Sequence, residues 1–139
     1  MDLGHFSLEE VRCKETGTLP PVRLFDSAPF ALLVSLLNEI RGDEPLVITS
    51  WYRNPDHSIE RAKPHPGVHT TGLAVDMALR GERALSACRA FLRPAYADWL
   101  GLGVSQKGSW RFIHADFGGH ELVQMMLKPA PPRPMIWSY

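Results

Sequence analysis

The sequence predicts an α+β domain in which helices pack on one face of a small, mostly antiparallel sheet. Three observations support this fold class. Apolar residues recur at helical spacing in one long segment that ends before Gly42. Several short apolar or β-branched runs are typical of strands. Two of these runs, residues 102–105 and 110–117, are joined by a turn at residues 106–108, which favours antiparallel pairing.

Three segments outside the long loop are predicted to be helical. Ser7 and Glu10 form the pattern of a capping box, which predicts a short helix that runs to about residue 15. The clearest helix can be capped by Asp26 or Ser27, and its apolar stripe consists of Phe30, Leu33, Val34, Leu37 and Ile40. A third helix is expected over residues 82–92, with an inward face formed by Leu85, Cys88, Phe91 and Leu92.

Four segments are predicted to be strands: residues 46–50, 73–77, 102–105 and 110–117. The first two are separated by a polar stretch, residues 51–71, with prolines at positions 55, 64 and 66. We expect a long loop there, with a short helix around residues 58–63. A loop of this length in a compact domain is usually functional. The proline-rich tail, residues 128–139, is expected to extend over the surface.

The composition limits the class of protein. A length of 139 residues predicts one domain, residues 1–139. Lys and Arg number 15 and so do Asp and Glu, and a net charge of zero argues against general nucleic-acid binding. No apolar run approaches the about 20 residues of a membrane span, and the N-terminus lacks the pattern of a secretory signal. We expect a monomer without stable membrane association, which is synthesised in the cytoplasm and needs delivery to act elsewhere.

Histidines and one aspartate suggest a metal site. Three histidines fall in the long loop, and His69 lies seven positions before Asp76 in a predicted strand. Gly72 lies between them and can adopt the backbone angles of a sharp turn. His114 falls in the last predicted strand. Two imidazoles and one carboxylate form a ligand set for catalytic zinc, with a fourth position open to water. The spacing of one His and one Asp is by itself not specific.

Three segments together carry a resemblance to a known family. They occur in the order Ser50-Trp51-Tyr52-Arg53-Asn54-Pro55, His69-Thr70-Thr71-Gly72-Leu73-Ala74-Val75-Asp76 and Phe112-Ile113-His114-Ala115-Asp116. In combination they resemble the zinc D-Ala-D-Ala carboxypeptidases and related peptidoglycan endopeptidases. That group includes vancomycin-resistance dipeptidases and phage endolysins, and its fold is shared with the hedgehog signalling domain. The opening residues 5–10 resemble the phage branch, and the resemblance covers residues 6–117.

The resemblance implies a fold, an activity and a set of site residues. It implies a hedgehog/D-Ala-D-Ala-peptidase-like fold and one zinc ion per chain, with His69, Asp76 and His114 as ligands. It also implies that Arg53 faces the substrate and holds a carboxylate or the developing oxyanion. The expected activity is zinc-dependent hydrolysis of peptide bonds in the stem peptide of bacterial peptidoglycan, in phage-type lysis or wall remodelling. Trp51 and Tyr52 are further candidates for lining the substrate cleft.

The chain departs from the family pattern where the general base is expected. Relatives often carry an acidic residue three positions before the last His, or a His two positions before it. Arg111 and Phe112 occupy these positions here. Asp116 shares a strand face with His114, so it can orient the His114 ring or serve as the base. His65 in the long loop is another candidate base.

Two alternatives to an enzyme follow from the sequence. The missing acidic residue favours a catalytically silent module that binds zinc and a wall peptide on the same fold. A structural zinc domain would need a fourth ligand from Cys13 or Cys88, and neither shows ligand spacing. Two cysteines are also too few for a disulfide scaffold. Which peptide bond is cut, and whether the source is a phage or a bacterium, stay open.

Overall fold

The computed structural model describes residues 1–127 and 132–139. It confirms an α+β architecture, with a five-stranded, mostly antiparallel sheet and several helices. The described part of the chain forms the helices α1 (Leu8–Val11), α2 (Val22–Phe25), α3 (Ala28–Arg41), α4 (Ser58–Arg61), α5 (Gly81–Phe91) and α6 (Glu121–Gln124). The strands are β1 (Ile48–Ser50), β2 (Ala74–Met77), β3 (Gly101–Ser105), β4 (Phe112–Asp116) and β5 (Met135–Ser138). Two 3-10 turns lie at Val68–Thr71 and Pro94–Tyr96.

Local capping explains where the first helices begin and end. The capping box predicted at Ser7 is present, since the Ser7 side chain accepts a hydrogen bond from the Glu10 amide and the Glu10 side chain accepts one from the Ser7 amide. The expected extension of α1 to about residue 15 is wrong, because Arg12 already has extended backbone angles. Ser27 caps α3, and Gly42 ends it with a φ of 53°.

The inward face of α5 differs from the predicted one. Its buried residues are Ala84, Ala87, Ala90 and Phe91. Leu85 and Leu92 are 44% and 45% exposed, and Cys88 is only partly buried. Helix α5 contacts both α3 and β4, and alanines on its inner face allow this close approach. Of the predicted inward residues only Phe91 is fully buried, and the other inward positions carry alanines, because packing against two neighbours favours small residues there.

The sheet has the strand order β1-β2-β4-β3-β5, and every neighbouring pair except β3 and β5 is antiparallel. Strand β5 lies parallel to β3 at the edge of the sheet. The prediction that the tail only extends over the surface is therefore wrong for residues 135–138. The first part of that tail, residues 128–131, lies outside the described residues.

The register of the sheet separates a core face from a polar face. Val75, Ala115 and Leu102 are cross-strand neighbours, and all three belong to the buried core that includes α3 and α5. Alternate residues of a strand point to opposite faces. The next row, formed by Asp76, His114, Gly103 and Trp137, therefore lies on the other face. Within residues 1–127 and 132–139, no helix has both the length and the apolar character that a membrane span requires.

Candidate metal centre

The three predicted metal ligands meet on the polar face of the sheet. Asp76 of β2 and His114 of β4 are direct cross-strand partners. His69 reaches them from the 3-10 turn that precedes β2. Gly72 ends this turn with a φ of 80°, a conformation that L-residues with a side chain rarely adopt. The glycine thus lets the chain turn from His69 into the strand that carries Asp76.

The distances within this group are short. Asp76 Oδ1 lies 2.8 Å from His114 Nδ1 and 3.4 Å from His69 Nε2. One ligand atom from each of the three residues lies within 4.8 Å of the others. His69 and His114 are buried, whereas the Asp76 side chain is partly exposed to the cleft. The described residues therefore contain a His-Asp-His group that could hold a metal ion.

Each histidine has one ring nitrogen that faces away from Asp76, here called its outer nitrogen. This nitrogen is hydrogen-bonded to another group. His69 Nδ1 donates a hydrogen bond to the Trp51 carbonyl oxygen at 2.6 Å. His114 Nε2 lies 2.8 Å from Asp116 Oδ2. Partners of this kind select the tautomer and the ring orientation of a metal-binding histidine. Both rings are therefore held with their remaining nitrogens, His69 Nε2 and His114 Nδ1, towards Asp76.

Asp116 has the surroundings of a positioning group. Its Oδ1 atom accepts hydrogen bonds from the Gly118 amide at 2.7 Å and from Arg133 Nη1 at 2.9 Å, while Oδ2 contacts His114. Its side chain is only 3% exposed. A carboxylate with both oxygens occupied suits the orientation of His114 better than proton transfer from water.

Electrostatic interactions shift the pKa values of these groups. Burial opposes the charged forms of His114, Asp76 and Asp116, but their hydrogen bonds and nearby opposite charges outweigh it. The pKa of His114 is raised to about 9 by Asp116 and Asp76. The pKa of Asp76 is held well below its usual range by His114 and His69. The pKa of Asp116 is lowered by His114 and Arg133. Without a metal, the His114 ring is therefore charged at neutral pH.

Arg53 lies beside the candidate metal ligands. Its Nη2 atom is 3.4 Å from Asp76 Oδ2, its Nη1 atom is 3.3 Å from Glu60 Oε2, and Nε donates to Ser50 Oγ at 3.1 Å. Glu60 is itself buried, and it also accepts from the Gly67 amide and from Lys63. The long loop is thus connected through Glu60 and Arg53 to the candidate metal ligand Asp76.

A cleft of about 400 Å³ surrounds this group on the open side of the sheet. Besides the ligands and Arg53, its walls include Lys63, Phe112, Arg133, Met135, Trp137 and Tyr139. A second cavity of about 440 Å³ shares Asp76 and Phe112 with the cleft and continues towards Thr49, Leu79, Arg80 and Trp110. Open space therefore lies on both sides of Asp76.

The wall residues of the C-terminal tail were missed by the sequence prediction. Met135, Trp137 and Tyr139 alternate along the chain and line the cleft together. Alternation of this kind between residues 135 and 139 predicts a half-buried strand, but the prolines before it led to the prediction of a tail extended over the surface.

Two predicted cleft residues lie elsewhere. Trp51 is fully buried, stacks on Phe30 at 5.8 Å between ring centroids and donates a hydrogen bond to the Gly72 carbonyl. Tyr52 is also buried in the core. The prediction that their side chains line the cleft is wrong, because both fill the core below the loop. Trp51 contributes to the site only through its backbone carbonyl.

His65 is exposed and does not line the cleft. It borders a smaller cavity with Pro66 and Val68. Cys13 and Cys88 are both free, and neither belongs to a cluster of metal-ligand residues among the described parts of the chain.

Comparison with known proteins does not assign a family. No protein-family model matches the chain, and neither does any curated protein or solved structure. The functional proposal below therefore rests on the site and on the three sequence segments that form it.

Proposed function

We propose that the protein is a zinc metallopeptidase that hydrolyses peptide bonds in the stem peptide of bacterial peptidoglycan. The observation that carries the proposal is the His69-Asp76-His114 group at the floor of an open cleft. Each histidine is hydrogen-bonded through the ring nitrogen that faces away from Asp76, as metal-binding histidines almost always are. The proposal includes the hedgehog/D-Ala-D-Ala-peptidase-like fold and action at the cell wall after delivery.

The donor set fits zinc. Two imidazoles and one carboxylate, with a fourth position open, are typical of catalytic zinc sites. Bond lengths of about 2.1 Å in a tetrahedral site place ligand atoms about 3.4 Å apart. Asp76 Oδ1 lies 3.4 Å from His69 Nε2 and 2.8 Å from His114 Nδ1, so the first of these two distances already suits zinc and the second must lengthen. When bound there, zinc would lower the pKa of a coordinated water and polarise a carbonyl group.

The cleft supports a peptide as the ligand. Three of the five N–H donors of Arg53 contact Ser50, Glu60 and Asp76. The remaining two can bind a substrate carboxylate or the oxygen of the carbonyl under attack. The second cavity beyond Asp76 and Phe112 gives room for substrate on both sides of the reacting bond. Residues 50–55, 69–76 and 112–116 resemble segments of the peptidoglycan peptidases and occur in the same order. This resemblance supports peptidoglycan as the substrate.

One observation favours a second candidate function, a zinc-containing module that binds wall peptides without cutting them. The cleft walls include two carboxylates among the described residues, Asp76 and Asp116. The first is a proposed ligand, and the second already accepts bonds from His114, Gly118 and Arg133. Proton transfer in an enzyme would therefore involve Asp116 despite these partners, or a group such as Tyr139 in the cleft wall.

Incubation with peptidoglycan tests the proposal. The purified protein is treated with a chelator, mixed with purified walls, and assayed again after zinc is restored, with released fragments identified by mass. We expect release only with zinc, and the fragment masses identify the bond. His69→Ala and Asp76→Asn should bind no zinc and release nothing. His65→Ala changes an exposed histidine of the same loop outside the cleft, so it should behave like the wild type.

The two candidate functions give different results. One equivalent of zinc with zinc-dependent wall binding but no release from any wall type supports the binding module. Failure of the wild type to bind zinc contradicts both.

A further inference from the structure

The C-terminal strand β5 is built into the metal centre. Its neighbour β3 carries glycine at two of its three positions on the polar face, Gly101 and Gly103, which pair with Asp116 and His114. A Cβ atom on Gly103 would lie 2.7–2.8 Å from ring atoms of Trp137. A Cβ atom on Gly101 would collide with Arg133 and Asp116. The two glycines therefore leave the space that Trp137 and Arg133 occupy.

Arg133 is held in this space as a buried charge. Its Nη1 atom donates to Asp116 Oδ1 at 2.9 Å, and the two side chains are 6% and 3% exposed. Its Nε atom is buried and has no hydrogen-bond partner among the described residues. A buried guanidinium is costly unless it is paired with a well-oriented anion. The Asp116 carboxylate is that anion, and it contacts His114 with its other oxygen.

We propose that Arg133 is a positioning residue of the metal centre, which holds Asp116 and through it the orientation of the His114 ring. Asp116 can hold His114 Nε2 only while its own carboxylate is fixed. Arg133 and the Gly118 amide fix it through Oδ1, which leaves Oδ2 for the histidine. His114 Nδ1 is thereby kept towards Asp76 and His69. The inference rests on the metal site of the proposed function, but not on hydrolysis.

Trp137 completes this arrangement on the other side of the ring. Its ring centroid lies 5.4 Å from that of His114, at an interplanar angle of 45°. The indole restricts the movement of the imidazole. The hydrogen bonds between Arg133 and Asp116 and between Asp116 and His114 set the rotation of the imidazole ring. The tail thus provides both a wall and a hydrogen-bonded support for one metal ligand.

Metal binding to Arg133 variants tests the role directly. Zinc affinity is measured by competition with a chromophoric chelator, and the ligand geometry is followed through the visible absorption of the cobalt(II) form. Arg133→Met should weaken zinc binding about 10–100-fold, which is the usual effect of removing a residue that supports a metal ligand. It should also change the absorption spectrum of the cobalt(II) form. Arg133→Lys keeps a charged donor and should restore part of the affinity. Arg93→Met removes an exposed arginine that pairs with Glu39 away from the site, and should change neither.

Asp116→Asn and the double variant complete the experiment. If Arg133 acts through Asp116, its substitution should have little further effect on zinc affinity when Asp116→Asn is already present. A folded Arg133→Met protein with wild-type zinc affinity and cobalt spectrum would overturn the inference, as would fully additive effects. Should Arg133→Met not fold, Arg133→Gln takes its place and is judged by the same two results. Loss of zinc affinity in these variants supports the inference even if the wild type hydrolyses no wall, so the two proposals fail separately.

Discussion

At the scale of single residues, His114 is held at both of its ring nitrogens. Its two ring nitrogens lie 2.8 Å from two different carboxylates, Asp76 and Asp116. Without a metal, a charged imidazolium with two donors satisfies both. A metal ion would replace the proton on Nδ1 and leave Nε2–H on Asp116. Metal and proton therefore compete for the same nitrogen.

The stability of the metal-free protein should depend on pH because of this residue. The pKa of His114 is 6.5 unperturbed and about 9 in the folded state. Its contribution to the free energy of unfolding is therefore fully present below pH 6.5 and is lost as pH rises through 9. The shift corresponds to about 3 kcal/mol. The lowered pKa values of Asp76 and Asp116 act in the opposite direction, so their contribution is lost as pH falls below their ordinary value of 3.8.

Urea unfolding of the chelator-treated protein at several pH values checks this prediction. The free energy of unfolding should be highest between about pH 4 and 6.5 and should decline towards pH 9. His114→Gln should flatten the decline above about pH 6.5. A free energy that stays constant from about pH 6 to 9 in the wild type would contradict it.

A second prediction at this scale concerns Arg53. Arg53→Ala removes one partner of the buried Glu60 carboxylate and one of Asp76. We expect a loss of about 1–3 kcal/mol in the free energy of unfolding, because buried charged groups are costly when under-paired. If the proposed function is correct, peptide hydrolysis should fall more than zinc affinity. Thermal unfolding, fragment release from peptidoglycan and zinc competition measure these three quantities.

Lys63→Met is the matched control for Arg53→Ala, since Lys63 also pairs with Glu60 but is 40% exposed. Its substitution should cost less stability. Equal losses for the two variants would show that Arg53 has no special role beside Asp76.

At the scale of elements, the 3-10 turn before β2 decides where His69 lies. Gly72 ends it with a φ of 80°, and a Cβ atom there would lie 2.8 Å from Pro20 Cγ. Gly72→Ala should cost about 1–3 kcal/mol through backbone strain and should also weaken zinc binding, because His69 must move. Thermal unfolding and zinc titration measure these quantities.

Gly17→Ala is the control that distinguishes the effect of backbone strain on stability from the effect of His69 displacement on zinc binding. Gly17 has a similar φ of 72°, but a Cβ atom there would meet nothing within 4 Å. This variant should lose stability through strain and keep wild-type zinc affinity. If both glycine variants keep full zinc affinity, the turn is not what positions His69.

Strand β5 is the second element whose placement can be tested. Gly103→Ala introduces a methyl group against the Trp137 ring, so we expect β5 to loosen. The amides of Met135 and Tyr139, which donate to Leu100 and Val104, should then exchange hydrogen faster. The effect of Gly103→Ala should be smaller in a Trp137→Ala background, where the ring is absent. Unchanged exchange in the single variant would contradict this packing.

At the scale of the whole molecule, zinc should stabilise the folded chain. A free zinc concentration of about 100 times Kd adds about 2.7 kcal/mol to the free energy of unfolding. For a chain of 139 residues, this corresponds to an increase in Tm of about 9 °C. Calorimetry with zinc and with chelator measures it, and Asp76→Asn should abolish the shift. A wild-type Tm that does not respond to zinc would argue against a site formed only in the folded state.

Much of the fold could be predicted from the sequence because the signals are local. The apolar stripe from Phe30 to Ile40, with a capping serine and a terminal glycine, specifies α3 within its own segment. The runs that became β2 and β4 are likewise local patterns. His69, Asp76 and His114 were predicted as metal ligands because the three segments that resemble the zinc peptidase family contain them, and the structure brings these residues together.

Other features depend on contacts between distant segments, which local patterns do not encode. The burial of Trp51 and the inward alanines of α5 follow from how the elements pack. Strand β5 forms because residues near 135 meet the edge of β3 near residue 101. The sequence by itself determined the main helix, the central strands and the candidate metal ligands. Only the tertiary structure decided that Arg133 and Trp137 lie against Asp116 and His114, because hydrogen bonding along a sheet edge joins segments remote in the chain.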